Sequence, residues 1–165
     1  MPVYLQIVGR KNSGKTRLIE NLTRELVNLG YKVATVKHTS HDHEFDRPET
    51  DSWKHRKAGS EATIILSPNR WVCHAKTLEP DTQRILEDTL FRDKDIVICE
   101  GYREEGIATI ECVMRGRELI FGDNPNLIAM ISEGEANMNI PVFGPGEIGK
   151  LANWIVRKFG LSRSN

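Results

Sequence analysis

Short apolar runs alternate along the chain with stretches whose apolar residues recur at helical spacing, and this alternation predicts an α/β fold with a mainly parallel sheet. In the first helical stretch leucines recur every three or four positions until a glycine follows the last of them. The predicted strands are 3–8, 32–37, 62–66, 71–75, 95–99, 107–114, 118–121, 127–131 and 141–143. The predicted helices are 17–29, 51–58, 80–91 and 148–159.

Two features of this pattern bear on the architecture. The run 95–99 is apolar throughout after its first, acidic residue, which is typical of a strand buried on both faces of a parallel sheet. Segments 107–114 and 118–121 are joined by a short Arg-Gly-Arg link, and we expect them to form a hairpin. The length fits a single domain over 1–165, with this antiparallel hairpin extension at about 107–121.

Composition narrows the classes of partner. Twenty-three basic and 23 acidic residues balance, so charge favours neither nucleic acid nor an anionic membrane. The sequence opens on an apolar strand rather than a leader, and no run reaches the roughly 18 apolar residues of a membrane helix. Cys73, Cys99 and Cys112 are an odd set without Cys-x-x-Cys spacing, which indicates reduced thiols. We therefore expect a cytoplasmic protein.

Residues 9–16 read Gly-Arg-Lys-Asn-Ser-Gly-Lys-Thr, a complete Walker A phosphate-binding loop, or P-loop, between an apolar strand and a helix. Glycine is needed because backbone amides must wrap an anion without Cβ clashes, and the helix adds the positive end of its dipole. Lys15 is expected to reach the terminal phosphates and Thr16 to ligate Mg²⁺. The nucleotide-binding residues predicted in the loop are Gly9, Asn12, Ser13, Gly14, Lys15 and Thr16.

A P-loop enzyme also needs an acidic group at the end of a neighbouring strand, where it holds Mg²⁺ directly or through water. Glu100 follows the buried strand 95–99 and is the leading candidate, with a solvated loop acid as the alternative. Asp42 and Asp46, in the polar loop after the second strand, compete for the metal or the attacking water. Either of them could instead be a turn residue.

The same polar loop is rich in histidine. His38, His41 and His43, together with Asp42, could form a site for Zn²⁺ or Ni²⁺, since imidazole suits both metals. Histidines beside a nucleotide, or solvated ones, are the favoured interpretation because the sequence places no further ligand near them. The Asn-Lys-x-Asp sequence that reads guanine in many GTPases is absent, so the pattern alone does not choose GTP over ATP.

Several segments, in order over nearly the whole chain, resemble the molybdopterin-guanine dinucleotide biosynthesis protein B (MobB) family. The most specific of them is the signature between the second strand and the next helix, which contains Val-Lys-His-Thr-Ser-His-Asp and, further on, Asp-Arg-Pro and Asp-Ser. The segments that carry the likeness are 36–42, 46–48, 51–52, 56–59, 67–71, 100–102 and 140–159.

The resemblance implies a dimeric, GTP-binding accessory protein with weak Mg²⁺-dependent GTPase activity, which assists the guanylyltransferase that attaches GMP to molybdopterin. The expected ligands and partners are GTP, molybdopterin or its guanine dinucleotide, that guanylyltransferase and a second copy of the chain, with neither nucleic acid nor membrane. The nucleotide site would combine the P-loop with Lys37, His38 and the loop that holds Asp42 and Asp46. The catalytic candidates are Asp42 and Glu100, and the candidate Mg²⁺ ligands are Thr16, Glu100 and Asp42.

The chain departs from the family pattern at two places. Where the family usually has Pro-Gly-Lys before Asp-Ser, this chain has Pro48, Glu49 and Thr50, so a glycine and a cation are replaced by an acid and a hydroxyl. After the apolar run 128–131 the family often has Asp, and here the residue is Glu133. A carboxylate at that position can accept hydrogen bonds from N1–H and N2–H₂ of guanine, so Glu133 is a candidate base-binding residue.

Three other functions remain open at this point. A metallochaperone-type GTPase would use the histidine loop and bind Zn²⁺ or Ni²⁺ stoichiometrically. A small-molecule kinase would transfer the phosphoryl group to an acceptor, although no arginine-rich lid is evident in the sequence. An interaction module would use the nucleotide only to stabilise its fold.

Overall fold

The computed structural model describes residues 1–39, 44–76, 80–101, 105–114, 117–134 and 139–162. These residues fall into two compact units, one formed by 1–39 and 91–165 and the other by 40–90. The elements of the first unit are β1 (Val3–Gly9), α1 (Lys15–Asn28), β2 (Val33–Lys37), β5 (Ile96–Glu100), β6 (Ala108–Cys112), β7 (Leu127–Ile131), β8 (Val142–Phe143) and α4 (Ile148–Phe159). Those of the second unit are α2 (Asp51–Lys57), β3 (Ala62–Ser67), β4 (Arg70–Ala75) and α3 (Pro80–Phe91).

The first unit is built on a six-stranded sheet in the order β2-β5-β1-β6-β7-β8, and each neighbouring pair of strands is parallel. Parallel strands must be covered on their faces because their connections cross over as helices. α1 packs its leucine stripe into the core, and α4 does so through Leu151, Ala152 and Ile155. The middle residues of the central strands are therefore buried, and Leu5, Ile98 and Ile110 have no exposed surface.

This topology brings the carboxyl ends of β2, β5, β1, β6 and β7 to one edge of the sheet. In the register of the strands, Lys37 pairs with Glu100, Glu100 with Ile7, and Gly9 with Cys112. The loops that follow these strands carry the polar residues, and ligands of open α/β sheets bind at this edge. The fold thus places the P-loop between the end of β5 on one side and the end of β6 on the other.

The second unit contains a two-stranded antiparallel sheet, in which β3 and β4 pair from Ala62 opposite Ala75 to Ser67 opposite Arg70. Helix α2 begins at a capped turn, because the Thr50 hydroxyl accepts a hydrogen bond from the backbone N–H of Trp53 at 3.4 Å. No residue of α2, β3 or β4 is buried among the described residues of this unit. Within this unit, the hairpin has little core of its own.

The α/β class, the mainly parallel sheet and an antiparallel extension are confirmed. Apart from the predicted hairpin, the predicted helices and strands agree with the observed bounds to within about two residues at each end. The predicted hairpin at 107–121 is wrong. β6 is an internal parallel strand between β1 and β7, and 118–121 is not a strand. The antiparallel pair is β3–β4 instead. The single domain over 1–165 stays a prediction.

A buried carboxylate explains why the segment 118–121 does not form a strand of the sheet. Glu111 lies on β6 and is 1% exposed, yet it accepts hydrogen bonds from the backbone N–H groups of Ile120 at 2.7 Å and Phe121 at 3.0 Å. The apolar segment is therefore held by a side chain rather than by strand pairing, and its hydrophobic pattern alone could not distinguish the two.

No helix in the described part of the chain is long and apolar enough to cross a membrane.

Candidate functional site

The P-loop follows β1 and turns sharply at its first glycine. Gly9 has φ +143°, and a Cβ there would lie 2.5 Å from the carbonyl oxygen of Cys112 and 2.6 Å from Oγ of Ser13. Only glycine fits this close approach of two strands. Asn12 has φ 64°, in the left-handed region that asparagine tolerates, and Ser13 N–H donates to the Arg10 carbonyl at 3.2 Å. The loop is thus a compact turn closed on itself.

Helix α1 begins directly after this turn. Its cap position is Gly14, so no side chain competes for the free N–H groups of the first turn, and that turn contains no acidic residue. The positive end of the helix dipole is therefore available to an anion. The Lys15 ammonium donates to the carbonyl oxygens of Gly9 at 2.9 Å and Arg10 at 2.7 Å, so this cation lies over the loop it belongs to.

A hydroxyl, a carboxylate and a second ammonium meet beside the P-loop. The Thr16 hydroxyl donates to Oε1 of Glu100 at 2.9 Å, and Nζ of Lys37 lies 3.7 Å from the same oxygen. The backbone behind Glu100 is fixed, since His38 N–H donates to the Glu100 carbonyl at 2.9 Å. Gly101 has φ +73°, and a Cβ there would lie 2.7 Å from the His38 carbonyl. The structure thus brings the predicted residues Thr16, Glu100 and Lys37 together.

The Thr16 hydroxyl and the Glu100 carboxylate fit a magnesium ion in their chemistry, because Mg²⁺ prefers hard oxygen ligands. The two groups lie next to each other in the structure. The third predicted ligand, Asp42, lies outside the described residues, as do His41 and His43 of the histidine loop.

A cavity of about 580 Å³ opens on the other side of the P-loop. Its walls are apolar where β6, β7 and α4 contribute, and polar where α1 and the loop contribute. Glu133, which follows β7, lies at this cavity, and it is exposed. The lining residues are Asn12, Ser13, Gly14, Arg17, Leu18, Asn21, Cys112, Val113, Met114, Ile131, Glu133, Pro145, Gly146 and Ile148.

A smaller cavity of about 410 Å³ lies on the Glu100 side and is lined by residues 11–17 and Glu100. Four residues line both cavities, namely Asn12, Ser13, Gly14 and Arg17. The two spaces therefore border the same turn of the P-loop, one toward β5 and the other toward β6 and β7. Together they make an elongated site whose polar end is at Glu100 and whose partly apolar end is at Glu133.

Comparison with known proteins identifies the family of this chain. The model of the family described as "Molybdopterin guanine dinucleotide synthesis protein B" matches residues 4–133. This chain belongs to that family, MobB. The "Molybdopterin-guanine dinucleotide biosynthesis adapter protein" of Escherichia coli is 30% identical over 162 residues, covering 92% of this chain and 90% of that protein.

Two further relatives extend the comparison. The protein of the same name from Haemophilus influenzae is 35% identical over 107 residues, which is 64% of this chain and 60% of that protein. The crystal structure of Bacillus subtilis MobB covers 99% of this chain and 100% of that one with a TM-score of 0.71 and 20% identity. At that identity the structural likeness shows the MobB fold alone.

The residue Asp46, predicted to bind nucleotide, lies in the second unit of this MobB chain and has neighbours there. Its Oδ1 accepts from the hydroxyls of Ser52 at 3.2 Å and Thr50 at 3.3 Å. Its Oδ2 lies 3.5 Å from Nε of Arg56 and 4.0 Å from Nε2 of His74. Burial raises the pKa of Asp46, but the hydrogen bonds from Ser52 and Thr50, together with the charges of His74 and Arg56, lower it, and the net pKa is lowered.

Sequence reasoning missed several residues of the larger cavity. Arg17 and Asn21 lie four positions apart on α1, so both line the cavity from one face of the helix, beside the buried Leu18. Their spacing puts them on a common face, but only the tertiary structure places that face beside the cavity. Cys112 also lines the cavity, and burial raises the pKa of its thiol to about 12, so it is neutral at physiological pH.

Among the described residues, no group of three or more His, Cys, Asp or Glu side chains is arranged to hold a metal ion. His38 lies at the carboxyl end of β2, next to Lys37, and is exposed. The proposed Zn²⁺ or Ni²⁺ site depends on His41, Asp42 and His43, which are not among the described residues, and so it stays a prediction.

Proposed function

We propose that this MobB chain is a GTP-binding adapter protein of molybdenum-cofactor biosynthesis, with weak Mg²⁺-dependent GTPase activity, that assists the guanylyltransferase in making molybdopterin guanine dinucleotide. One observation carries the nucleotide part: a single P-loop turn borders a hydroxyl–carboxylate pair on one side and a partly apolar cavity on the other. The pathway part is supported by the adapter proteins named above, of which the Escherichia coli protein matches almost end to end.

The phosphates of GTP would lie over the start of α1, where free N–H groups and the helix dipole favour an anion. Lys15 would leave the carbonyl oxygens of Gly9 and Arg10 and bind the terminal phosphates, because charge-assisted contacts to phosphate are stronger than contacts to neutral carbonyls. Thr16 and Glu100 would hold Mg²⁺, with Asp42 as a third candidate ligand. The ion would supply charge neutralisation at the phosphates.

The nucleoside would occupy the larger cavity. Its walls combine apolar side chains with a few polar groups, as is usual in small-molecule sites. The Glu133 carboxylate would accept hydrogen bonds from N1–H and N2–H₂ of guanine, whereas adenine has an acceptor at N1 and no N2 amino group. Preference for GTP over ATP would then depend on this carboxylate.

Hydrolysis by the isolated chain should be slow. In other P-loop enzymes an arginine supplied by a partner can accelerate hydrolysis by roughly a thousandfold or more, and such a group would come here from the guanylyltransferase. If Asp42 orients the attacking water, Asp42→Asn should lower turnover with little change in GTP affinity. Loss of Mg²⁺-dependent GTP binding would instead identify Asp42 as a metal ligand.

Calorimetric titration of the purified chain with GTP, ATP and molybdopterin in the presence of Mg²⁺ tests the proposal. We expect one GTP per chain, weaker ATP binding, and GTP binding that requires Mg²⁺. The proposal is overturned by a folded chain that binds no GTP. For the pathway part, addition of the guanylyltransferase should raise single-turnover hydrolysis of GTP, and an isolated chain already turning over at about one per second would contradict it.

We also propose that the chain forms a homodimer through one face of the β3–β4 hairpin. Residues directly opposite in the register share a face, and the face in question is entirely apolar, consisting of Ala62, Ile64, Leu66, Trp71, Cys73 and Ala75. Ile64 is 61% exposed, Leu66 79% and Trp71 51%. An isolated two-stranded sheet is only marginally stable in water, and two such faces can cover each other about a twofold axis.

The cytoplasm is the proposed setting, since all three cysteines are free thiols.

A further inference from the structure

A second lysine lies at the phosphate end of the site, on a strand that the P-loop motif does not include. Lys37 is the last residue of β2, and its register partner across the sheet is Glu100. Its ammonium lies 3.7 Å from Oε1 of Glu100, the oxygen that accepts from Thr16. The Lys37 side chain is 65% exposed and the Glu100 side chain 15%, so the lysine can move while the carboxylate is held in place.

The order of the strands gives the bound nucleotide a direction. The larger cavity is lined by residues after β6 and β7, whereas Thr16 and Glu100 lie toward β5. β2 is the next strand outward beyond β5, and adjacent strands are roughly 4.8 Å apart. A nucleotide with its base near Glu133 would therefore extend its terminal phosphate toward β5 and β2. Lys37 lies at that end beside Glu100, and unlike the cations that line the smaller cavity it does not belong to residues 11–17.

We propose that Lys37 binds the terminal phosphate of GTP and thereby makes the site distinguish a nucleoside triphosphate from a diphosphate. This inference rests on the GTP binding proposed above. In the structure the Lys37 ammonium is paired with the Glu100 carboxylate. If Glu100 holds a divalent cation, like charges disfavour Lys37 beside it, and the terminal phosphate offers the ammonium another anion to bind.

The structure separates this role from that of the P-loop lysine. Lys15 lies over the carbonyl oxygens of its own loop. From there it would reach both the β- and the γ-phosphate of a bound nucleotide. Lys37 approaches from a different strand and only from the Glu100 side. Loss of Lys15 should weaken GTP and GDP together, whereas loss of Lys37 should weaken GTP selectively.

The test compares the affinities of full-length wild type, Lys37→Ala and Lys37→Arg for GTP and for GDP, each with Mg²⁺, by calorimetry. We expect Lys37→Ala to weaken GTP binding roughly tenfold or more and GDP binding less than twofold, because one charge-assisted contact is lost. Lys37→Arg should recover part of the GTP affinity, since it restores the charge. Lys32→Ala is the matched control, because Lys32 is an exposed lysine just before the other end of β2.

Each of the other possible results contradicts the role proposed for Lys37. Equal losses for GTP and GDP would mean that Lys37 only positions Glu100, and this would overturn the inference while leaving the proposed function intact. Unchanged affinities in a Lys37→Ala variant with the wild-type melting temperature would overturn it as well. A wild-type chain that binds neither nucleotide would instead refute the proposed function, and the inference with it.

Discussion

The two units of the chain differ in how they support polar and apolar groups. In the first, the strands are buried, and the charged groups at their carboxyl ends stand on a rigid sheet. In the second, α2, β3 and β4 contain no buried residue among those described, and apolar side chains lie exposed on the hairpin. The comparison teaches that the first unit offers polar groups on a rigid support, whereas the second leaves apolar surface exposed to solvent.

Two carboxylates show the same difference. Glu100 shares one oxygen between the Thr16 hydroxyl and the Lys37 ammonium, an arrangement that a metal ion and a phosphate can replace. Asp46 is held by two hydroxyls from its own unit, and its other oxygen faces a guanidinium and an imidazole. Changes near Glu100 should therefore alter ligand binding, and changes at Asp46 should alter the stability of the second unit.

The largest effect expected in the first unit is that of Lys15→Ala. It removes the P-loop cation but no core volume, so GTP affinity should fall by about a hundredfold or more while the fold stays intact. Calorimetry and circular dichroism measure the two properties. Lys32→Ala is the control, because Lys32 is an exposed lysine that lines neither of the two cavities. Wild-type GTP affinity in a folded Lys15→Ala variant would refute the P-loop assignment.

A charge on the apolar face of the hairpin tests the second unit. Leu66→Glu should weaken self-association by roughly a hundredfold, because a leucine buried in the dimer contributes about 1.5–3 kcal/mol and a charge there would be desolvated. Light scattering across micromolar concentrations measures the change. Ser67→Glu adds the same charge on the opposite face of the next residue and should leave the dimer intact. A monomeric wild type would remove the basis of the dimer proposal.

The preference for GTP over ATP tests whether the base binds in the larger cavity. Glu133→Gln should reduce the preference for GTP over ATP by about tenfold, because an amide presents one acceptor oxygen where the carboxylate presents two. The affinities of the variant for both nucleotides give the ratio. Met114 also lines the cavity, so Met114→Leu controls for changes in packing. An unchanged ratio would show that the base is read elsewhere.

The smallest expected effect concerns Asp46. Its pKa is lowered from the ordinary value of 3.8, so the stability it contributes is present above that pH and is lost as the pH falls through its lower, folded-state pKa. Asp46→Asn should therefore lower the denaturation midpoint at neutral pH, with GTP affinity unchanged. Urea titrations at several pH values should show the gap between variant and wild type closing below that pH. A gap that widened in acid would contradict this assignment of charge.

Much of the fold was predictable because its signals are local. The buried run at β5 and the amphipathic pattern of α4 each identified an element to within about a residue. The conformation of segment 118–121 was not predictable. An apolar run has the same sequence pattern whether it pairs as a strand or is held by a carboxylate such as that of Glu111. The nucleotide loop was predictable as a motif, whereas Arg17 and Asn21 become visible only once α1 is placed beside the cavity.

The sequence by itself determined the α/β class, the P-loop and the MobB family, because helical spacing, glycine positions and signature segments are properties of neighbouring residues. Only the tertiary structure decided which distant groups meet. Thr16 and Glu100 are 84 positions apart in sequence and 2.9 Å apart in space, and Lys37 reaches the same oxygen from a third strand. Such a meeting depends on strand order, and strand order is set by how helices cover a whole sheet rather than by any single segment.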